Sequence, residues 1–178
     1  MNSARTLADR FRTQRTDRIR VDGIEVLSIV ELQIEPGDAV EVMIESSRSD
    51  IEQSLHIRTK RTGLEVVDHS VLEDEDYDFD PSIISTNLTV VANQSRRVEF
   101  VLSASAENKT RLKIWNSWLL GDAEHAWTGN SGIVSEKLEP PEHASSRMRL
   151  WCSDGLGDPQ FDDLVALITV GERAPLEV

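Results

Sequence analysis

A single cysteine, Cys152, stands among the 178 residues, so an internal disulfide framework is excluded and a reducing compartment is expected. Long apolar runs are missing as well. Nothing approaches the ~18 apolar residues of a membrane helix, and no N-terminal stretch resembles a signal peptide. The expectation is a soluble, cytoplasmic protein with no membrane partner. The three sequons, Asn87-Leu-Thr, Asn93-Gln-Ser and Asn108-Lys-Thr, carry no weight without a leader. Catalytic signatures are equally scarce. There is no Gly-rich phosphate loop, nucleophile elbow or zinc pattern, and His56, His69, His125 and His143 include no pair at i,i+4. No catalytic residue is assigned. An enclosing barrel that works by shape alone leaves no motif, so a small β-barrel enzyme or small-molecule binder stays as a second alternative.

Apolar residues, at 39%, suffice for one core without a disulfide or structural metal. Positive charge is short overall, with a net charge of −13, and it is unevenly placed. Residues 1–20 hold six Arg against two Asp, which is +4, leaving 13 basic against 30 acidic residues, or −17, for the remainder. A body this acidic repels phosphates, so nucleic acid is not an expected partner. The first 20 residues read as a basic arm with a short helix. Thr6 and Asp9 have capping-box spacing, and Leu7 and Phe11 share one face. With Arg10, Phe11, Arg12 and Arg15 the arm either docks on the acidic surface of a neighbouring subunit, giving a homo-oligomer, or frays.

From Val21 onward the texture is strand. Ile24-Glu-Val and Leu32-Gln-Ile alternate, and Glu35-Pro-Gly-Asp38 is a turn. Val40, Val42 and Ile44 then share one face, as do Leu55 and Ile57. Leu88-Thr-Val leads through Asn93-Gln-Ser into Val98-Glu-Phe-Val-Leu102. Short strands between turn signals predict an all-β fold, an antiparallel β-sandwich (jelly-roll or Ig-like) of about ten strands over residues 21–170, with a loose tail at 171–178. The acidic run 73–80 places Asp74, Asp76 and Asp78 like the start of an EF-hand loop. Phe79 stands where that loop requires Gly and Ser85 where it requires Glu, leaving a solvated loop or an auxiliary cation site.

All four Trp fall between residues 115 and 151. Alternation puts Leu112, Ile114, Asn116 and Trp118 on one face of a strand, and Arg111, Lys113 and Trp115 on the other. In a second strand Met148, Leu150 and Cys152 go one way, while Arg147, Arg149 and Trp151 go the other. Cys152 therefore reads as a buried thiol. Set side by side, the strands offer Trp115 and Trp151 as an aromatic platform edged by Lys113 and Arg149, suited to a sugar or aromatic small molecule. The opposing expectation is that a second layer or the arm covers that face.

The run from Cys152 to Val170 joins an acidic, glycine-bearing loop to an apolar strand. Asp154, Asp158, Asp162 and Asp163 supply carboxylates, Gly155 and Gly157 sharp turns, and residues 164–170 a core anchor. Asp154-Gly-Leu-Gly-Asp-Pro-Gln-Phe-Asp-Asp-Leu-Val resembles the Asp-rich loop and closing strand of the bacterial two-calcium lectins that bind fucose or mannose, and of related calcium-associated β-sandwich modules. The resemblance covers 152–170, about a tenth of the chain. It implies calcium held by Asp154, Asp158, Asp162 and Asp163 and bound directly by carbohydrate hydroxyls. Gln160 stands where the family has a bridging Asp, which implies one ion rather than two. The residues alone leave a cation site and a hydrogen-bonded acidic turn as alternatives. The leading expectation is a non-enzymatic, calcium-dependent carbohydrate-binding module. The first alternative is an assembly protein that oligomerises through its arm.

Overall fold

Apolar residues at every second position suit a half-buried strand, and the chain uses them almost throughout. The computed structural model describes residues 5–60, 63–71, 84–102 and 109–172. The acidic run 73–80, Asn108 and residues 173–178 of the expected tail lie outside the described residues, while Gly171 and Glu172 belong to the last strand rather than to the tail. Helix α1 (Leu7–Gln14) comes first. A hairpin of β1 (Arg18–Val21) and β2 (Ile24–Leu27) follows. Its two-residue turn, Asp22-Gly23, has φ of 49° and 85°, the type I′ form that matches strand twist and that glycine adopts without strain. Next are β3 (Val30–Ile34), β4 (Asp38–Ser47), β5 (Gln53–Arg58), β6 (Leu64–Val71), β7 (Ile84–Ser85), β8 (Asn87–Val91) and β9 (Ser95–Leu102). The last five are β10 (Thr110–Leu120), β11 (Ala123–His125), β12 (Gly132–Leu138), β13 (Ala144–Ser153) and β14 (Leu164–Glu172).

These strands form an antiparallel sandwich, as expected. One sheet has nine strands in the order β1-β2-β12-β13-β14-β4-β9-β6-β7. The other has five: β10 pairs with β5, which pairs with β8, while β3 and β11 share the opposite edge of β10. The chain passes from one sheet to the other between β2 and β3, β3 and β4, β4 and β5, and β5 and β6, so successive strands over this stretch lie in opposite sheets.

Alternation along each strand decides what enters that core. Val40 and Val42 of β4, Leu55 and Ile57 of β5, and Leu112 and Ile114 of β10 are at most 1% exposed. Leu164, Ala166 and Ile168 of β14 join the same cluster. β14 lies between β13 and β4, which makes it a central strand and explains its apolar run. Its outward residues Val165 and Leu167 are also buried, in register with Trp151 and Arg149.

A second, smaller core lies on the outer face of the nine-stranded sheet. Adjacent residues of β2 point oppositely: Leu27 enters the main core, and Val26 packs with Leu7, Phe11 and Ile19. Each fully buried Leu or Phe is worth roughly 1.5–3 kcal/mol, enough to fix a helix too short to stand alone in water. Leu7, Phe11 and Ile19 thus pack on the sheet through Val26. The boundary expected at residue 20 cuts through β1, because the Leu7–Phe11 face finds its apolar partner in its own sheet.

Candidate functional site

The N–H groups at the start of α1 are accounted for one by one. Thr6 Oγ1 accepts from the Asp9 N–H at 3.2 Å and donates to Asp9 Oδ2, as the capping-box spacing anticipated. Asn130 Oδ1 accepts from the Leu7 N–H at 3.1 Å, and the Gly129 carbonyl from the Ala8 N–H at 3.0 Å. The loop before β12 therefore caps the start of the helix and sets its position. Asn130 also donates from Nδ2 to the Gly157 carbonyl, tying the same loop to the acidic one.

Asp154 and Asp163 come together at the base of the acidic loop, and the cation between them is Arg48. Asp154 is fully buried; its Oδ2 accepts from Arg48 Nη1 at 2.8 Å and from Gln53 Nε2 at 3.0 Å, and its Oδ1 from the Leu156 N–H at 2.9 Å. Asp163 Oδ2 accepts from the Asp154 N–H at 2.9 Å, and its Oδ1 lies 3.4 Å from Arg48 Nη1. The Arg48 N–H in turn donates to the Asp163 carbonyl, and its guanidinium takes Asp50 on the far side. Burial raises the Asp163 carboxyl above its ordinary range, partly offset by the Asp154 N–H, while the Asp154 charge adds to the rise. Asp158, Gln160 and Asp162 are exposed, outside this buried contact. Among the described residues no group of three or more His, Cys, Asp or Glu is placed to hold a metal ion. Gly155 closes the arrangement: a Cβ there would lie 2.5 Å from both Trp118 Cζ2 and the Thr128 carbonyl oxygen.

The expected Trp115–Trp151 platform does not form, because β10 and β13 belong to different sheets. Both side chains point away from the core, on opposite sides of the sandwich. Trp151 lies under Arg149, whose guanidinium carbon is 5.6 Å from the ring centre, and its indole N–H donates to Glu136. Arg149 is also bound by Glu45, so this face is occupied by its own charges.

Trp115 instead belongs to a row of three rings. His56, its cross-strand partner on β5, stacks at 5.2 Å with planes 9° apart. Trp127 flanks it at 5.3 Å and a 33° tilt. His56 is locked from below: Nε2 lies 2.8 Å from Ser117 Oγ and 2.7 Å from Glu124 Oε1, and Nδ1 is 3.1 Å from Thr89 Oγ1. The Ser117 hydroxyl donates to Glu124 and holds its carboxyl below the usual range, with His56 adding to the effect. Ser, His and Glu are hydrolase-triad residue types, but here hydroxyl and carboxylate meet the same imidazole nitrogen. Ser117 is 1% exposed, so its oxygen faces no substrate.

Trp127 is the exposed end of this row, at 46% exposure. Its φ of 55° lies in the left-handed region, which for a bulky residue costs about 1–3 kcal/mol and persists only when neighbours impose it. Two of them do: the indole N–H donates to the Ser28 carbonyl at 3.1 Å, and Trp115 packs on the ring. In front of Trp127 a groove of about 450 Å³ opens against α1, with Ala8, Phe11 and Ile29 among its lining and Arg12 and Arg15 at its rim. The sequence picked out Phe11, Arg12 and Arg15 as docking residues. The structure buries Phe11 within its own domain, pairs Arg12 with Asp9 at 3.1 Å, and places Arg15 at the left-handed helix C-cap. Arg10 binds the Arg20 carbonyl.

A second depression of about 540 Å³ lies on the outer face of the five-stranded sheet, lined by Arg58, Lys60, Arg111 and Lys113 around Glu31. Lys113 was picked out in the sequence. Arg48, Gln53, His56 and Trp127 were not. Only Trp127 carried a signal, as a large apolar residue in the otherwise polar loop 121–132. Compared with protein-family models, curated proteins and solved structures, the chain has no match.

Proposed function

We propose that the domain is a non-enzymatic binding module that receives a carbohydrate ring against Trp127. The observation that carries this reading is an exposed indole held in a strained backbone conformation by a hydrogen bond and a stacked partner. Strain of this kind gathers where a side chain must be presented rather than buried. A flat, rigid aromatic wall beside an apolar floor suits the C–H face of a sugar, and the neighbouring Arg12 and Arg15 and the Thr16 hydroxyl suit its oxygens.

In this reading the acidic loop positions the groove rather than binding the sugar. Arg48 supplies the positive charge that calcium would supply in the lectin-like arrangement, and Asn130 relays the loop to α1. Titration of a panel of neutral oligosaccharides, followed by tryptophan fluorescence and calorimetry, tests the proposal. Binding that Trp127→Gly removes and that a chelator leaves unchanged supports it. Absence of binding across the panel ends it, and chelator-sensitive binding returns the site to the Asp154–Asp163 loop.

A further inference from the structure

The groove at Trp127 does not end at α1. It shares Asp17 and Ile29 with a neighbouring depression of about 430 Å³ at the edge of the sandwich. That depression shares Glu31 with the basic pocket on the five-stranded sheet. The three adjoin, and each has the size of a small-molecule site, which is far more space than one sugar ring requires.

Charge along this track is patterned. One end carries Arg12 and Arg15, and the other carries Arg58, Lys60, Arg111 and Lys113. Arg111 and Lys113 both reach Glu31, at 3.2 and 3.7 Å, so one carboxylate serves two cations. Arg58 and Lys60 have no ion-pair partner among the described residues. Four cations around one carboxylate are a marked local excess in a chain of net charge −13. The middle is mixed: Asp17, Glu25 and Glu31 line it together with Arg18 and Lys137, with Ser135 beside them, and Arg18 pairs with Glu25 at 3.3 Å. Carboxylates accept hydrogen bonds from hydroxyls and repel phosphates.

We infer that the track binds an extended acidic oligosaccharide, with a ring on Trp127 and a carboxylate or sulfate in the Arg58–Lys113 pocket. The inference rests on the carbohydrate reading of the Trp127 groove and adds the length and charge of the ligand. Hydroxyls on the middle residues of such a chain meet Asp17, Glu25 and Glu31. A nucleic acid, with a phosphate at every step, is disfavoured by a chain of net charge −13.

The test uses the full chain and two forms of one polymer segment, an oligogalacturonate and its methyl ester. They share a backbone and differ in charge. The acid is expected to bind about tenfold more tightly than the ester at low salt, the combined effect of a few exposed ion pairs each worth less than a decade. That advantage shrinks as ionic strength rises. Arg58→Ala with Lys113→Ala removes the advantage of the acid over the ester, whereas Trp127→Gly removes binding of both. Equal binding of acid and ester, or a double variant indistinguishable from wild type, overturns the inference while the sugar-binding groove stands. Binding of neither form, alongside a negative neutral panel, ends both. A single-stranded oligonucleotide of equal charge that binds more tightly than the acid replaces saccharide with nucleic acid and also overturns it.

Discussion

Arg48 and Asp154 meet at 2.8 Å across 106 residues of chain, and the carboxylate of the pair is fully buried. Around that contact Gln53, Asp163 and the Leu156 N–H complete the shell of Asp154, so the most acidic stretch of the described chain is closed by a residue of the β4–β5 loop.

Removing Arg48 leaves Asp154 buried and uncompensated. Arg48→Ala is expected to destabilise the domain by about 3 kcal/mol, the low end for a broken buried pair because the guanidinium is partly open to water. Urea unfolding measures it. A midpoint within error of wild type would show that the pair carries no stability.

Asp163 sets a pH dependence of unusual sign. A carboxyl whose folded pKa lies above its unfolded value binds its proton more tightly in the native state. Its stabilising contribution is complete below the unfolded value of about 3.9 and is lost as pH rises through the raised folded value. Between those two limits, acidification therefore adds stability at this group. Comparing Asp163→Asn with wild type across that window isolates the effect. The wild type gains on the variant as pH falls, and parallel curves would refute the assignment.

Cys152 is fully buried, and burial pushes its thiol far above the ordinary range, with Asp163 adding to the rise. Iodoacetamide at mildly alkaline pH is expected to leave the native protein unlabelled and to label it fully in denaturant. Labelling of the native protein as fast as of a free thiol would place Cys152 outside the core.

At Trp127 glycine should be better tolerated than alanine. Both variants lose the ring contacts, but alanine keeps the left-handed φ of 55° that glycine adopts freely. Thermal unfolding of Trp127→Gly is expected to lie above that of Trp127→Ala by about 1 kcal/mol. The reverse order would mean that the loop relaxes and imposes no strain.

Local signals were legible where the physics is local. Thr6 and Asp9 cap α1 because a hydroxyl three residues from an N–H reaches it within one turn. Val40 and Val42, and Leu112 and Ile114, face inward because side chains alternate along a strand. Asp22-Gly23 was an equally local hairpin signal, and reading it would have joined the arm to the sheet.

The sequence by itself determined which face of each strand is apolar, where the chain turns, and that Cys152 and the apolar run Leu164–Val170 belong to the core. Alternation has a period of two and says nothing about neighbours. Only the tertiary structure decided that Trp115 meets His56 and Trp127 rather than Trp151. It alone brought Arg48 to Asp154. Strand order and sheet membership follow from closing one core between two sheets, a non-local condition satisfied by the whole set of apolar faces at once. The acidic loop shows the same division: its carboxylates are local, and Arg48, which meets Asp154 and Asp163, comes from another part of the chain.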